Sequence, residues 1–186
     1  DVSSDVGYCA GIGILSSILK EAGHQTHLLH VSGQLDYPLD TDRVAADVRA
    51  YDPGLICFSV TTSEWHNTRI IGEALDAALD IPIIVGGIHA TSAPEAVMAE
   101  PWVDMLCRGE GDFVLPEVVR RLESGESLAG VPNLTVRCET GIEEAPLGHW
   151  VENLDDLPFE DREIFDYSRI VDTRSGWAEV IVRSEE

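Results

Sequence analysis

Short apolar runs alternate along the chain with longer stretches in which apolar side chains recur at helical spacing. In "GIGILSSILKEAG" (11–23), Ile12, Leu15, Ile18 and Leu19 fall on one face, and Gly23 suits a helix stop. "THLLHV" (26–31) follows as a predicted strand, and "DTDRVAADVRAYDP" as a helix capped near Thr41 and stopped by Pro53. "GLICFSV" (54–60) is continuously apolar, with β-branched and aromatic members, as in a strand covered on both faces. A helix over 63–79 with Ser63 as its N-cap comes next, then the strand "IPIIVGG". A short helix from Pro94, the strand "VDMLCRG", a helix ending at Gly125 and a strand over 132–138 complete the pattern.

Strands alternating with helices at this spacing predict an α/β fold, a doubly wound parallel sheet in three layers, with 54–60 and 81–85 at its centre. A unit of this kind normally opens on a strand. Here the loop "DVSSDVGYCAG" leads directly into the first helix, so the first strand is expected to lie outside the chain. Past residue 139 the texture turns acidic and aperiodic, with prolines at 146 and 158. Residues 1–138 therefore read as the domain, and 139–186 as a linker with a helical turn near 161–168.

At 186 residues the chain is long enough to bury a core without disulfides or structural metals. Its net charge is -22, and Lys20 is the single lysine. A surface this acidic repels phosphate backbones, so no nucleic-acid partner is expected. No run of about 18 apolar residues and no basic-then-apolar leader occurs, so neither a membrane span nor a signal peptide is expected. Cys9, Cys57, Cys107 and Cys138 form no CxxC pair, and Cys57 and Cys107 sit in apolar runs. Reduced thiols and a cytoplasmic setting follow as the expectation.

Ligands of an open parallel sheet gather at the carboxyl ends of its strands. Ser59, Thr61 and Thr62 follow one strand, Gly86, Gly87, His89 and Ala90 the next, and Gly109, Glu110 and Gly111 a third. Gly86 and Gly87 remove two Cβ atoms where the chain turns, which would let a ligand lie against the backbone. Gly11 and Gly13 add spaced glycines near the first helix, a weak dinucleotide fingerprint with no strand ahead of it. The chain contains no GxxxxGK[ST], HExxH or GxSxG. A groove of backbone amides and hydroxyls suits a large ligand rich in hydroxyl and amide groups rather than a polyphosphate. His89 could act as a base or metal ligand, but no second histidine stands at a ligand spacing; His24, His27, His30, His66 and His149 read as surface or packing residues.

"PIIVGGIHATSAPEAVMAEPWVDMLCRGEGD" closely resembles the cobalamin-binding domain of cobalamin-dependent radical SAM enzymes. "GIGILSSILKEAGHQTHLLHV", "DPGLICFSVTT" and "NLDDLPFEDREIFDY" fit that family in the same order. The resemblance implies a flavodoxin-like fold holding cobalamin at the strand ends, its nucleotide tail running between sheet and helices. The strand-end residues named above, with Gly11 and Gly13, would be cofactor-binding, and none would be catalytic. S-adenosylmethionine and an iron–sulfur cluster would belong to a radical SAM catalytic domain outside this chain, the expected partner, which would act on a small-molecule substrate, with methyl transfer the expected reaction. The DxHxxG motif of methionine-synthase-like domains is missing, so no protein histidine is expected on the cobalt. Two other readings stand beside this one: a degenerate domain that only packs against a partner, and a small-molecule enzyme using Glu110 or His89 in acid–base roles.

Overall fold

The computed structural model describes residues 9–148, 150–166 and 170. The apolar runs at 54–60, 81–87 and 103–109 become three parallel strands, β1 (Ile56–Ser59), β2 (Ile83–Gly86) and β3 (Met105–Cys107). β2 and β3 show the unbroken burial that their composition requires, because helices cover both faces of the sheet. Alternate residues face opposite layers. Ile56, Val85 and Leu106 meet α2 (Thr41–Tyr51), α3 (Trp65–Ala78), α4 (Ile88–Ser92) and α5 (Pro94–Met98), whereas Ile84, Met105 and Cys107 meet α1 (Ala10–Glu21) and α6 (Val114–Ser124). At the first interface Gly72 of α3 lies on Trp102; a Cβ at Gly72 would sit 2.5 Å from the indole.

The helix ends follow local chemistry. Asp40, rather than Thr41, caps α2, its carboxylate accepting the Arg43 amide at 3.1 Å. Glu64, rather than Ser63, precedes α3; its carboxylate accepts the Thr61 hydroxyl at 2.9 Å. Gly125 closes α6 in the left-handed conformation (φ 69°), as the sequence predicts.

Three expectations are corrected. Residues 26–31 form no strand: they have no ladder partner among the described residues, because a cavity separates them from β1. β1, expected at the sheet centre, is consequently an edge strand of the described sheet, whose order is β1-β2-β3-β4-β5. The strand at 132–138 is present as β4 (Leu134–Cys138) but runs antiparallel to β3, and it turns back into β5 (Gly141–Glu144), where the sequence reads as linker. β5 is exposed throughout, so it carries no apolar signal and is held by its ladder to β4. Near the expected helical turn the Phe165 amide donates to the Arg162 carbonyl at 3.3 Å and the Ile170 amide to the Asp166 carbonyl at 3.1 Å, and 167–169 lie outside the described residues.

Candidate functional site

Gly86 and Gly87 end β2 side by side but differ in what surrounds them. Gly87 has φ 92°, and a Cβ there would stand 2.6 Å from the Val60 nitrogen and 2.9 Å from its oxygen. Val60 is gripped at this point: its amide donates to the Gly86 carbonyl and its carbonyl accepts from the His89 amide, both at 3.0 Å. The bareness of Gly87 therefore has an internal cause, the close crossing of two backbones. Gly86 is different. The nearest atoms to a Cβ there would be Cys107 Cβ at 3.8 Å and the Phe58 oxygen at 3.9 Å, an ordinary contact, and the residue borders a cavity.

That cavity, about 790 Å³, lies under α1 and α6. On one side it is lined by Cys57, Ile84 and Cys107 of the sheet with Leu15 and Leu19 of α1 and Leu115 and Leu122 of α6, and past the edge of β1 it also reaches Val44 and Val48 of α2 and Ile71 and Leu75 of α3. The mouth is formed by Gly11, Ser59, Gly86, Gly87, Gly109, Glu110 and Gly111. A Cβ on Gly11 would meet nothing within 4 Å, so this helix start also presents open backbone. The volume falls within the range of small-molecule and cofactor pockets, roughly 300–1,000 Å³.

The other predicted residues lie off the cavity. Gly13 is bare because residues 160–161 pack on α1: a Cβ would sit 2.9 Å from Glu160 Cβ. Thr61 bonds Ser63 and Glu64 at the start of α3. Ala90 is fully buried in the core against the opposite helices. His89 is 8% exposed, with Nδ1 3.2 Å from the Thr62 hydroxyl and its ring 4.9 Å from Trp65; its Nε2 has no hydrogen-bond partner among the described residues.

Two features of the mouth escaped sequence reasoning. Thr91 Oγ1 accepts the Gly109 amide at 2.9 Å and donates to the Gly87 carbonyl at 3.1 Å, joining the loops after β2 and β3. The "HAT" run signals a small polar residue there but not its bridging contact. Glu110 accepts the Val151 amide at 2.7 Å, so its carboxylate ties down the segment after β5, and Trp150 lies over Gly109. Nothing local to "RGEGD" reveals a partner 41 residues away.

Electrostatics make the cavity a poor place for nucleophiles. Cys57 is open to the cavity yet closely surrounded by protein, and this desolvation pushes its thiol up to about 12. Burial, with the nearby Asp112 charge, does the same to Cys107. Both stay protonated at neutral pH, when a thiol is neither nucleophile nor metal ligand. Burial also raises the Asp112 carboxyl, against a backbone hydrogen bond that lowers it, and the Glu110 charge adds to the rise. Among the described residues no group of three or more His, Cys, Asp or Glu side chains is placed to hold a metal, and no helix is long and apolar enough to cross a membrane.

The profile of the B12 binding domain family matches residues 3–119. The chain belongs to that family. Among similar proteins, an uncharacterized methyltransferase of Pyrococcus horikoshii is 26% identical over 150 residues, covering 80% of this chain and 32% of the relative. The anaerobic magnesium-protoporphyrin IX monomethyl ester cyclase of Rubrivivax gelatinosus is 28% identical over 155 residues, covering 82% and 27%. This chain thus spans about a third or less of the length of these relatives. Two solved structures share its fold. The cobalamin-dependent S-adenosylmethionine radical enzyme OxsB, with aqua-cobalamin and S-adenosylmethionine bound, superposes with a TM-score of 0.70 at 19% identity, over 90% of this chain and 23% of OxsB. The radical S-adenosylmethionine methyltransferase TsrM of Kitasatospora setae, with cobalamin and a [4Fe-4S] cluster bound, gives 0.65 at 19% identity, over 80% of this chain and 28% of TsrM. The fold class is therefore flavodoxin-like α/β, as the sequence predicts, with an antiparallel extension at one side.

Proposed function

We propose that this chain is the cobalamin-carrying module of a larger radical SAM enzyme, and that methyl transfer is the reaction it serves. One observation carries the reading: in a chain of the B12-binding family, open backbone at Gly11 and Gly86 borders an apolar cavity along the edge of β1, lined by α1 and α6 on one side. The nucleotide tail of cobalamin would suit such a place, where amides at the strand ends could bond its polar atoms and the leucines of α1 and α6 would line its apolar parts. Ser59, Gly86 and the 109–111 loop would hold the cofactor beside Gly11, with Thr91 fixing two of these loops relative to each other. Glu110 shapes the mouth through its bond to Val151. When bound, cobalamin supplies a cobalt that carries an alkyl group; nothing in the chain needs to ionise for this. His89 packs away from the cavity against Trp65 and Thr62, which supports binding without a protein histidine on the cobalt. The catalytic partner, with S-adenosylmethionine and an iron–sulfur cluster, is a radical SAM domain in this reading, in keeping with the greater length and the names of the relatives.

The test is retention of hydroxocobalamin after desalting, read by visible absorbance. The wild type should retain near-stoichiometric cofactor. Gly86→Val should lose most of it while melting within a few degrees of wild type, because its side chain would project toward the cavity rather than into neighbouring backbone. A folded wild type that retains none would overturn the proposal and favour a domain with only a packing role.

A further inference from the structure

Two large apolar side chains stand exposed beside the mouth of the cavity. Ile88 directly follows Gly87 and Trp150 lies over Gly109, and both glycines border the opening. Ile88 is 69% exposed and Trp150 63%. Trp150 is nevertheless held in place. Before it in the chain, the Gly148 amide donates to Asn133 Oδ1 at 2.7 Å and the Asn133 amide to the Pro146 carbonyl at 3.0 Å. After it, the Val151 amide donates to the Glu110 carboxylate at 2.7 Å. Between these anchors the benzo edge of the indole rests on Gly109, where a Cβ would meet Cζ3 at 3.3 Å and Cη2 at 3.6 Å. Gly109, at φ 80°, is thus kept bare for a ring of this chain. The indole does not line the cavity; it stands outside, at the rim. An exposed indole on a segment anchored at both ends offers a preorganised flat apolar surface to whatever fills the mouth.

We propose that Trp150 is a positioning contact for the corrin ring, a flat face against which the part of the cofactor outside the cavity rests. The assignment depends on the cofactor reading above and adds a residue to it. A ligand whose tail enters the cavity leaves its macrocycle at the mouth, where the loops after β2 and β3 form the rim. Thr91 ties those loops together through the Gly87 carbonyl and the Gly109 amide, so Ile88 and Trp150 are carried on one connected frame. Corrin is a broad macrocycle, apolar over its face and amide-bearing at its periphery, and an indole face covers apolar area at low conformational cost. A nucleotide seated wholly inside the cavity would leave both rim side chains in water. Their exposure therefore favours a ligand that extends past the mouth, and the rim discriminates by the presence of a macrocycle rather than by the tail.

The test is equilibrium dialysis of the full chain against two probes, hydroxocobalamin and aquocobinamide, the second having the corrin ring without the nucleotide tail. Wild type, Trp150→Ala, Trp150→Leu and Trp150→Phe are compared, and exchange of the Val151 amide reports whether the Glu110 anchor survives in each. Trp150→Ala should weaken both probes by the same factor, roughly three- to tenfold, with Trp150→Phe within about twofold of wild type. Wild-type affinity in Trp150→Ala, or a loss confined to hydroxocobalamin, would overturn the assignment. So would faster Val151 exchange in Trp150→Ala with binding restored by Trp150→Leu, which would show that the side chain holds the segment and not the corrin. A wild type that binds hydroxocobalamin but no cobinamide also overturns it, while leaving the cofactor reading intact. A folded wild type that binds neither probe removes the cofactor reading itself, and this assignment with it.

Discussion

Gly86 and Gly87 show at the residue scale how far a sequence can speak for a site. As letters they are equivalent, and both invite the idea of a ligand against bare backbone. The fold separates them: Gly87 is bare for Val60, and only Gly86 has room on the cavity side. Gly87→Ala should therefore destabilise the domain by about 1–3 kcal/mol, through positive φ and the clash with Val60, in the absence of any ligand. Thermal or urea unfolding checks this. A neutral Gly87→Ala would mean that the crossing with Val60 is looser than 2.6 Å implies. The same distinction applies to His89 and Ala90. The "GG-x-HAT" run was legible as a strand end, but the helical turn that follows points both residues into the opposite layer, and one-dimensional spacing does not encode that turn.

Among the elements, those with strong apolar periodicity were legible and those defined by partners were not. Helices α1, α2, α3 and α6 stand where their stripes predict. Residues 26–31 carry a strand pattern without a ladder, and β5 has a ladder without a pattern. The segment after β5 has contacts that no local signal announces. The Ser17 hydroxyl donates to the Phe159 carbonyl at 2.7 Å, and the Asp161 amide to the Gly13 carbonyl at 3.0 Å. The Asp161 carboxylate takes the Ser16 hydroxyl and the Lys20 ammonium, both at 2.6 Å. Burial would raise this carboxyl, yet Lys20 and Ser16 outweigh it and hold the group below its usual value of 3.8. A carboxyl lowered by folding stabilises the attached state above its free value, and that contribution disappears as pH falls through the lowered one. Exchange in 159–163 should therefore quicken, relative to the intrinsic rate, as pH drops from 5 toward 3. Asp161→Asn should show the loosened behaviour already at pH 6 and lose most of the pH dependence. If the variant keeps the wild-type profile, Asp161 is not what fastens the segment.

For the whole molecule, the dominant fact is charge: 34 acidic residues against 12 lysines and arginines. Ion pairs use part of the cationic set, as where Arg120 bridges Glu117 and Glu126 at 2.8–3.0 Å on the exposed side of α6. Those hydrogen bonds, joined by one from Arg121 to Glu117 and one from the Ser124 hydroxyl to Glu126, bring both glutamates down to about 2. Such solvent-exposed pairs contribute little to stability, and salt weakens them further. Salt also screens the mutual repulsion that comes with a net excess of 22 negative charges. At 0.1 M ionic strength the screening length is about 10 Å, comparable to the spacing of charges on a domain surface, so both effects respond over the same range. The repulsive excess should win. The melting temperature is expected to rise as sodium chloride increases from 0.05 to 0.5 M, with potassium chloride giving the same curve because the effect depends on ionic strength alone. Arg120→Gln should melt lower at 0.05 M and converge on the wild type at high salt. A melting temperature that falls with salt would show instead that the paired minority governs the stability of this acidic domain.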